Sequence, residues 1–471
     1  MKISRTLIST YSLLLFVAAN SAALHGQTAP TDYKFDFSTG QDKPGYTRVA
    51  PTAVYSDDAG YGFEPGTQAS TGDNGNTTTS DRPLLFSVKV PEGDFQVTVT
   101  FGDSANATTT SIKAESGRLM EEKVVTAAGE VASRTFTVNV RTPKLPPVPA
   151  NAPGGDVVRE DQFDRGNARD WDDRLTIEIN SPHAALRTIQ VTPSPNAITV
   201  FVAGDSTVTD RDGGGDVSWG QLISRFFKYD VAVSNQAQSG ETLKTFANAL
   251  RLDKILSQMK KGDYFFMQFA HNDEKASWPQ SYVEAETTYK AYLKVYIAEA
   301  RLRGATPVLV TAMDRGARGT GAPSHAHGGY TDAVREVAKE ENVALIDLYA
   351  DSIAFYQSAG TDAPGILADG THSTAYGGYE FAKCIITGIR QNKLDLANHI
   401  VDDFKDFDPT HPDTAASLNM NSIFGGGAGG GRGGRGGRGG RGGAAPGAPA
   451  TNAPATNPTA PGTGDPGPGP L

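Results

Sequence analysis

The chain has 471 residues, and 43 Lys and Arg against 53 Asp and Glu give a formal net charge of −10. A mildly acidic body of this kind gives no electrostatic case for binding DNA or RNA. The length allows two or three folded units. Hydrophobic residues make up 38%, and much of the shortfall sits in a Gly/Pro-rich tail, so the rest can bury a core.

The N-terminus reads as a secretory signal over residues 1–23. Lys2 and Arg5 supply the positive start, Leu7 to Ala19 is mostly apolar, and Ser21, Ala22 and Ala23 offer a cleavage site. The apolar run is shorter than the ~20 residues of a spanning helix. The expectation is a secreted or periplasmic protein with no membrane attachment after cleavage.

Residues 31–192 read as an all-β sandwich domain. Tyr33–Phe37, Leu85–Val90, Phe95–Phe101, Arg134–Val140, Arg174–Ile179 and Leu186–Val191 alternate with period two, with Gly, Pro and Asp between them. Pro143–Gly166 is rich in Pro, Gly and Asp and reads as a long loop.

From 197 to 392 the period changes. Ala197–Ala203, Val231–Val233, Tyr264–Phe269, Pro307–Ala312 and Val343–Asp347 read as strands. Helices are expected over Trp219–Phe227, 241–261, Val283–Arg303, Gly329–Glu341 and Ala375–Arg390. Strands alternating with helices imply an α/β domain with a parallel sheet covered on both faces. Sites in such sheets lie beyond the carboxyl ends of the strands.

From Gly425 to Leu471 the chain is a low-complexity tail rich in Gly, Arg and Pro, with Arg432, Arg435, Arg438 and Arg441 three residues apart. Its composition predicts disorder. An RGG-type nucleic-acid segment is one reading. Export favours a flexible tether, with weak contact to anionic polysaccharide or the cell surface as a middle option. Cys384 is the only cysteine, so no intrachain disulfide forms, and its apolar surroundings predict a buried thiol.

Four short segments carry chemistry. Gly204-Asp-Ser206-Thr follows the first α/β strand and can present a hydroxyl in a tight turn. Asn235–Gly240 follows the second, where glycine lets the backbone approach a substrate closely with its N–H free. Ala270-His-Asn272-Asp follows the third and offers a side-chain amide. Asp369-Gly-Thr-His372 lies late in the chain, and its spacing can set a carboxylate against an imidazole and so fix the tautomer. Singly, each is ordinary turn chemistry. Of eight histidines only His372 has an Asp at this spacing beside a Gly turn. His325-Ala-His327 hints at a metal, but no ligand cluster accompanies it, so a solvated loop is expected and no metal.

Together these segments resemble the four blocks of the SGNH hydrolase superfamily, and more closely the rhamnogalacturonan acetylesterases. The resemblance rests on Val202–Val208, Ser234–Ala237 before Gly240, the His-Asn-Asp triplet and Asp-Gly-x-His, with Ala270 standing where Gly commonly precedes that triplet. It implies a flavodoxin-like three-layer α/β/α domain. It also implies a Ser–His–Asp acyl-enzyme mechanism, with Ser206 as nucleophile, His372 as base and Asp369 orienting it. The oxyanion would be held by the N–H groups of Ser206 and Gly240 and the amide of Asn272, without metal or organic cofactor. The implied substrate is acetylated plant cell-wall polysaccharide, pectic rhamnogalacturonan first and acetylxylan as a variant. A non-catalytic glycan-binding surface protein is the alternative of another class.

The β domain resembles the galactose-binding-like sandwiches that precede some carbohydrate esterases. Tyr55, Tyr61 and Trp171 are either sugar-stacking or core residues. Nothing in the composition sets an oligomeric state.

Overall fold

The computed structural model describes residues 32–424, without 213–214 and 318–319. The predicted signal segment 1–23 and the tail 425–471 lie outside the described residues.

The β module packs two sheets face to face. One contains Ala132–Val140, Gly93–Phe101, Ala184–Pro193 and Tyr33–Asp36 in that spatial order, and the other contains Leu84–Lys89, Arg174–Asn180, Thr108–Ala114 and Arg118–Thr126. The alternation seen in the sequence is the burial pattern: Phe95, Val97, Val99 and Phe101 are buried, and the residues between them half-buried. Phe86 centres the core, edge-on to Phe35 and Phe37 with ring centroids 5.0 Å apart in each pair.

The strands Thr108–Ala114 and Arg118–Thr126 were not anticipated, because Lys113, Glu115 and Arg118 stand at buried positions. The two cations are paired, and Glu115 accepts from the Thr176 N–H at 3.1 Å. Lys113 Nζ lies 2.7 Å from Glu178, and Arg118 Nε reaches Asp210 of the following domain at 2.7 Å.

In the α/β domain, β1 (Ile198–Gly204), β2 (Val231–Asn235), β3 (Tyr264–Gln268), β4 (Thr306–Val310) and β5 (Ala344–Ile346) form a parallel sheet in the order β2-β1-β3-β4-β5. This is the flavodoxin-like order. Alternate residues feed opposite faces. Val200, Val202, Phe266, Val308 and Val310 join one apolar cluster; Phe201, Ala203, Phe265, Met267 and Leu309 join the other.

The helix expected over 241–261 is two, Leu243–Asn248 and Arg251–Gln258, because Leu250 takes φ +62° between them. Packing also continues past 392. Ile423 and Phe424 are buried, and Asn180 Nδ2 of the β module donates to the Ile423 carbonyl at 2.6 Å.

Candidate active site

β1 runs into a turn that only glycine can open. A Cβ on Gly204 would lie 2.7 Å from Val208 and 2.8 Å from the Gln268 carbonyl of β3. The chain then doubles back: the N–H groups of Val208 and Thr209 donate to the Asp205 carbonyl at 3.0 and 3.1 Å. Asp205 Oδ1 accepts from the N–H and hydroxyl of Thr207 at 2.9 and 2.8 Å, and Gln268 Nε2 donates to that hydroxyl at 2.7 Å. Ser206 is left at the tip of this braced turn, half-buried.

The second element is a self-contained Asx turn. Asp369 Oδ1 accepts from the N–H groups of Thr371 and His372, both at 2.9 Å, while Gly370 takes φ +89°. Asp369 Oδ2 lies 2.8 Å from His372 Nδ1, and His372 Nε2 lies 2.8 Å from Ser206 Oγ. An ionised carboxylate only accepts, so Nδ1 carries the proton and the Nε2 lone pair faces the serine hydroxyl. Burial raises the Asp369 carboxyl. The His372 N–H and ring and the Thr371 N–H outweigh it and hold the group below its ordinary value. The side chains of His372 and Asp369 remain 24% and 48% exposed, so the arrangement sits on an open rim.

The strand ends bring three hydrogen-bond donors to the same rim. Among the described residues, no carbonyl or carboxylate accepts from the N–H of Ser206 or of Gly240, which takes φ +86° in an exposed turn. Asn272 follows β3 and donates to the Glu241 carbonyl at 3.0 Å, next to Gly240. Its Oδ1 accepts from Lys275 Nζ at 2.7 Å, which fixes the amide's orientation and leaves its second N–H uncommitted. The five residues singled out in the sequence (Ser206, Gly240, Asn272, Asp369 and His372) therefore lie on one rim.

Sequence comparison decides the family. The profile of the GDSL-like lipase/acylhydrolase family matches residues 202–378, and that of the beta-agarase/YXIM esterase-like, galactose-binding domain-like family matches 33–148. A Bacillus subtilis protein named a probable rhamnogalacturonan acetylesterase, YesY, is 38% identical over 211 residues, 43% of this chain and 97% of its own. The chain belongs to the GDSL-like lipase/acylhydrolase family. Rhamnogalacturonan acetylesterase RhgT of the same organism is 33% identical over 223 residues, 43% of this chain and 94% of its own. The uncharacterized esterase YxiM of B. subtilis is 27% identical over 359 residues, 72% of this chain and 85% of its own, so it spans the two-module arrangement. The chain is an esterase of this family with a galactose-binding-like β module in front.

Around the rim the esterase places residues that the sequence reading passed over. Arg211 Nη2 donates to the Ser206 carbonyl at 2.8 Å. Arg315 bridges the His372 loop and the β3 end, donating to Thr371 Oγ1 at 2.5 Å, the His271 carbonyl at 2.9 Å and Glu274 at 3.0 Å. Arg315 spans segments 41 to 56 positions away, so no local pattern marks it, whereas Arg211 acts within its own loop, on Ser206 and Asp216 five residues to either side.

His327, expected in a solvated loop, is buried. Its Nδ1 lies 2.5 Å from Glu274, and its ring meets His271 with centroids 4.4 Å apart. The pair is a structural support beneath the rim, since a carboxylate and a ring close off what looked like an exposed His-x-His. Burial pushes the His271 imidazole down to about 4, against the pull of Asp205. Asp205 is itself brought down to about 2, because the His271 contact and the Thr207 donors overcome its burial. No group of three or more His, Cys, Asp or Glu is placed to hold a metal ion among the described residues.

Trp171 is also core, at 7% exposure. It lies against the guanidinium groups of Arg141 and Arg251, and its Nε1 donates to Asp164 at 3.0 Å. Tyr61 packs on Phe35, and Tyr55 lies under Arg174.

Ala270, the departure from the family pattern, takes φ +150°, a region where a side chain is strained and glycine is at ease.

Proposed function

We propose that this esterase is exported and releases acetate from O-acetylated rhamnogalacturonan through an acyl-enzyme on Ser206. The single observation that carries the chemistry is the unbroken Asp369–His372–Ser206 chain, with 2.8 Å at each link. His372 Nε2 takes the hydroxyl proton as Ser206 Oγ attacks the acetyl carbonyl, and Asp369 holds the ring and stabilises the imidazolium. The developing oxyanion accepts from the N–H groups of Ser206 and Gly240 and from the Asn272 amide. His372 then returns the proton to the sugar oxygen. A water activated in the same way releases acetate and restores Ser206. The open rim suits a bulky polymer. The substrate class follows relatives bearing the rhamnogalacturonan acetylesterase name at 38% and 33% identity. The signal-like N-terminus supports export.

Ser206→Ala tests the chemistry. Removing the nucleophile lowers p-nitrophenyl acetate turnover by roughly 10⁴-fold or more. Equal rates in wild type and variant would leave a glycan-binding surface protein as the better account. Acetate release from acetylated rhamnogalacturonan against acetylated xylan tests the substrate, and a preference for xylan overturns that assignment while leaving the chemistry standing.

A further inference from the structure

Beside the Asn272 amide stand the cation that orients it and an exposed indole with no assigned task. Lys275 Nζ, which donates to Asn272 Oδ1 at 2.7 Å, lies 4.3 Å from the ring centroid of Trp278. Trp278 is 49% exposed, whereas Trp171 and Trp219 are buried at 7% and 0%. The indole sits on a fixed turn. The Trp278 N–H donates to the Lys275 carbonyl at 2.8 Å, and the Trp278 carbonyl accepts from the N–H groups of Ser281 and Tyr282 at 3.0 and 2.8 Å. Lys244 Nζ holds the Pro279 carbonyl at 3.2 Å. The backbone hydrogen bonds of this turn hold the indole at the surface with the Lys275 ammonium beside its face.

The lysine orients Asn272 but has no ionic partner. Among the described residues Lys275 Nζ contacts the Asn272 amide oxygen and the Trp278 ring, and no carboxylate is paired with it. The adjacent Glu274 is taken by Arg315 at 3.0 Å and His327 at 2.5 Å. Lys275 is half-buried. Burial first, and then the charge of Arg315, push its ammonium below the ordinary lysine value. A cation held in that setting gains from an incoming anion. The flat face of a pyranose stacks on an indole, and an ammonium beside that indole selects a sugar bearing a carboxylate.

We propose that Lys275 and Trp278 form a uronate subsite beside the acetyl-binding position, in which the ammonium pairs with a sugar carboxylate and the indole carries the ring. The proposal rests on the rhamnogalacturonan reading above, since that polymer carries a uronate in every backbone repeat. It makes the carboxylate, and not only the acetyl group, part of what is recognised.

The test compares Lys275→Gln and Trp278→Ala with wild type on acetylated rhamnogalacturonan, the same polymer with its carboxyl groups reduced, and p-nitrophenyl acetate. Gln keeps a donor for Asn272 Oδ1 while removing the charge. The ratio of kcat/KM on the acidic polymer to kcat/KM on p-nitrophenyl acetate is expected to fall about tenfold or more in each variant, through loss of the charge-assisted contact in Lys275→Gln and of the stacking face in Trp278→Ala. Carboxyl reduction is expected to cost the wild type a similar factor and Lys275→Gln little more. Raising salt from about 0.05 to about 0.5 M is expected to weaken the wild type on the acidic polymer and to leave Lys275→Gln nearly flat. A wild type that prefers the acidic polymer while both variants keep the ratio overturns the subsite alone. A wild type that hydrolyses p-nitrophenyl acetate but no acidic glycan overturns the substrate reading, and the subsite with it.

Discussion

Asp164→Asn separates a β module that merely accompanies the esterase domain from one that shapes its active site. Asp164 lies in the short helix Gln162–Gly166, on the long loop of the β module, and its carboxylate is fully enclosed. Oδ1 accepts from Trp171 Nε1 at 3.0 Å and Gln238 Nε2 at 2.5 Å. Oδ2 accepts from Arg251 Nη2 at 2.5 Å and the Asp161 N–H at 2.7 Å. Gln238 stands two residues before Gly240. Its own N–H is tied to the Gly204 carbonyl at 3.1 Å, and its Oε1 accepts the Ser239 N–H at 2.6 Å. The β module thus clamps the turn that presents the Gly240 N–H. Asparagine can accept on one side only, so its amide group faces donors on the other. Among the described residues Arg251, its side chain 1% exposed, is then left with Glu241 at 3.6 Å as its remaining ion pair.

Breaking a buried pair from one side costs about 3–5 kcal/mol. Misplacing one oxyanion donor costs up to roughly 10²–10³ in kcat. The expected result is a lower urea midpoint together with a fall in kcat of about ten- to a hundredfold on p-nitrophenyl acetate, at nearly constant KM, measured where circular dichroism shows the variant folded. A variant that loses the stability but keeps kcat within about twofold refutes the clamp, because only the turn's geometry links Asp164 to turnover.

Two further outcomes follow from residues under the rim. His271 is neutral when folded, near 4, and near 6.5 when unfolded, so the unfolded chain takes up the proton first. Its contribution is complete above about pH 6.5 and lost as pH falls toward 4, by about 3 kcal/mol at 1.36 kcal/mol per unit. Denaturation at stepped pH is expected to show this slope in wild type and a shallower one in His271→Gln, and parallel slopes would rule the residue out as its source. Ala270→Gly releases about 1–3 kcal/mol of backbone strain, set against ~0.8 for the buried methyl and ~0.4–1 for a freer unfolded chain. Stability is therefore expected to hold within about 1 kcal/mol or rise slightly, and a loss beyond about 1 kcal/mol by urea denaturation would show that φ +150° carries no strain there.

The five residues of the rim were legible because each sits where local rules apply. Ser206, Gly240 and Asn272 follow consecutive strands whose continuous apolar runs mark a buried parallel sheet, and such strands put their carboxyl ends on one side. Asp369 and His372 need no tertiary information to meet, since the Asx turn brings them together across three residues. What the sequence hid is long-range pairing of charge. Leu119-Met-Glu-Glu-Lys123 carries no strand alternation, yet it forms part of Arg118–Thr126 because Arg118 is neutralised by Asp210 and Asp170, residues 92 and 52 positions away. His327 looked solvated for the same reason, as its partner Glu274 is 53 residues distant.

These hidden pairs bear on how the site is held. Asp210, reached by Arg118 from the β module, accepts from Asn235 Nδ2 at 2.7 Å, and the same amide donates to the Val208 carbonyl at 2.7 Å. One buried side chain therefore joins the end of β2 to the serine turn after β1, and the β module anchors it from below. Replacing such charges with apolar residues often leaves stability unchanged or improves it, so bulk stability alone is a weak account of their presence. They do fix which atoms face which, and an oxyanion site needs its donors placed to within roughly half an ångström. The His372 arm takes no part in this anchoring. It is held by its own turn, by the Gly316 N–H on the Gly370 carbonyl at 3.0 Å and by Arg315 on Thr371. The rigid side of the site is thus built between two modules, and its exposed side by one loop that leaves the rim open to a polymer.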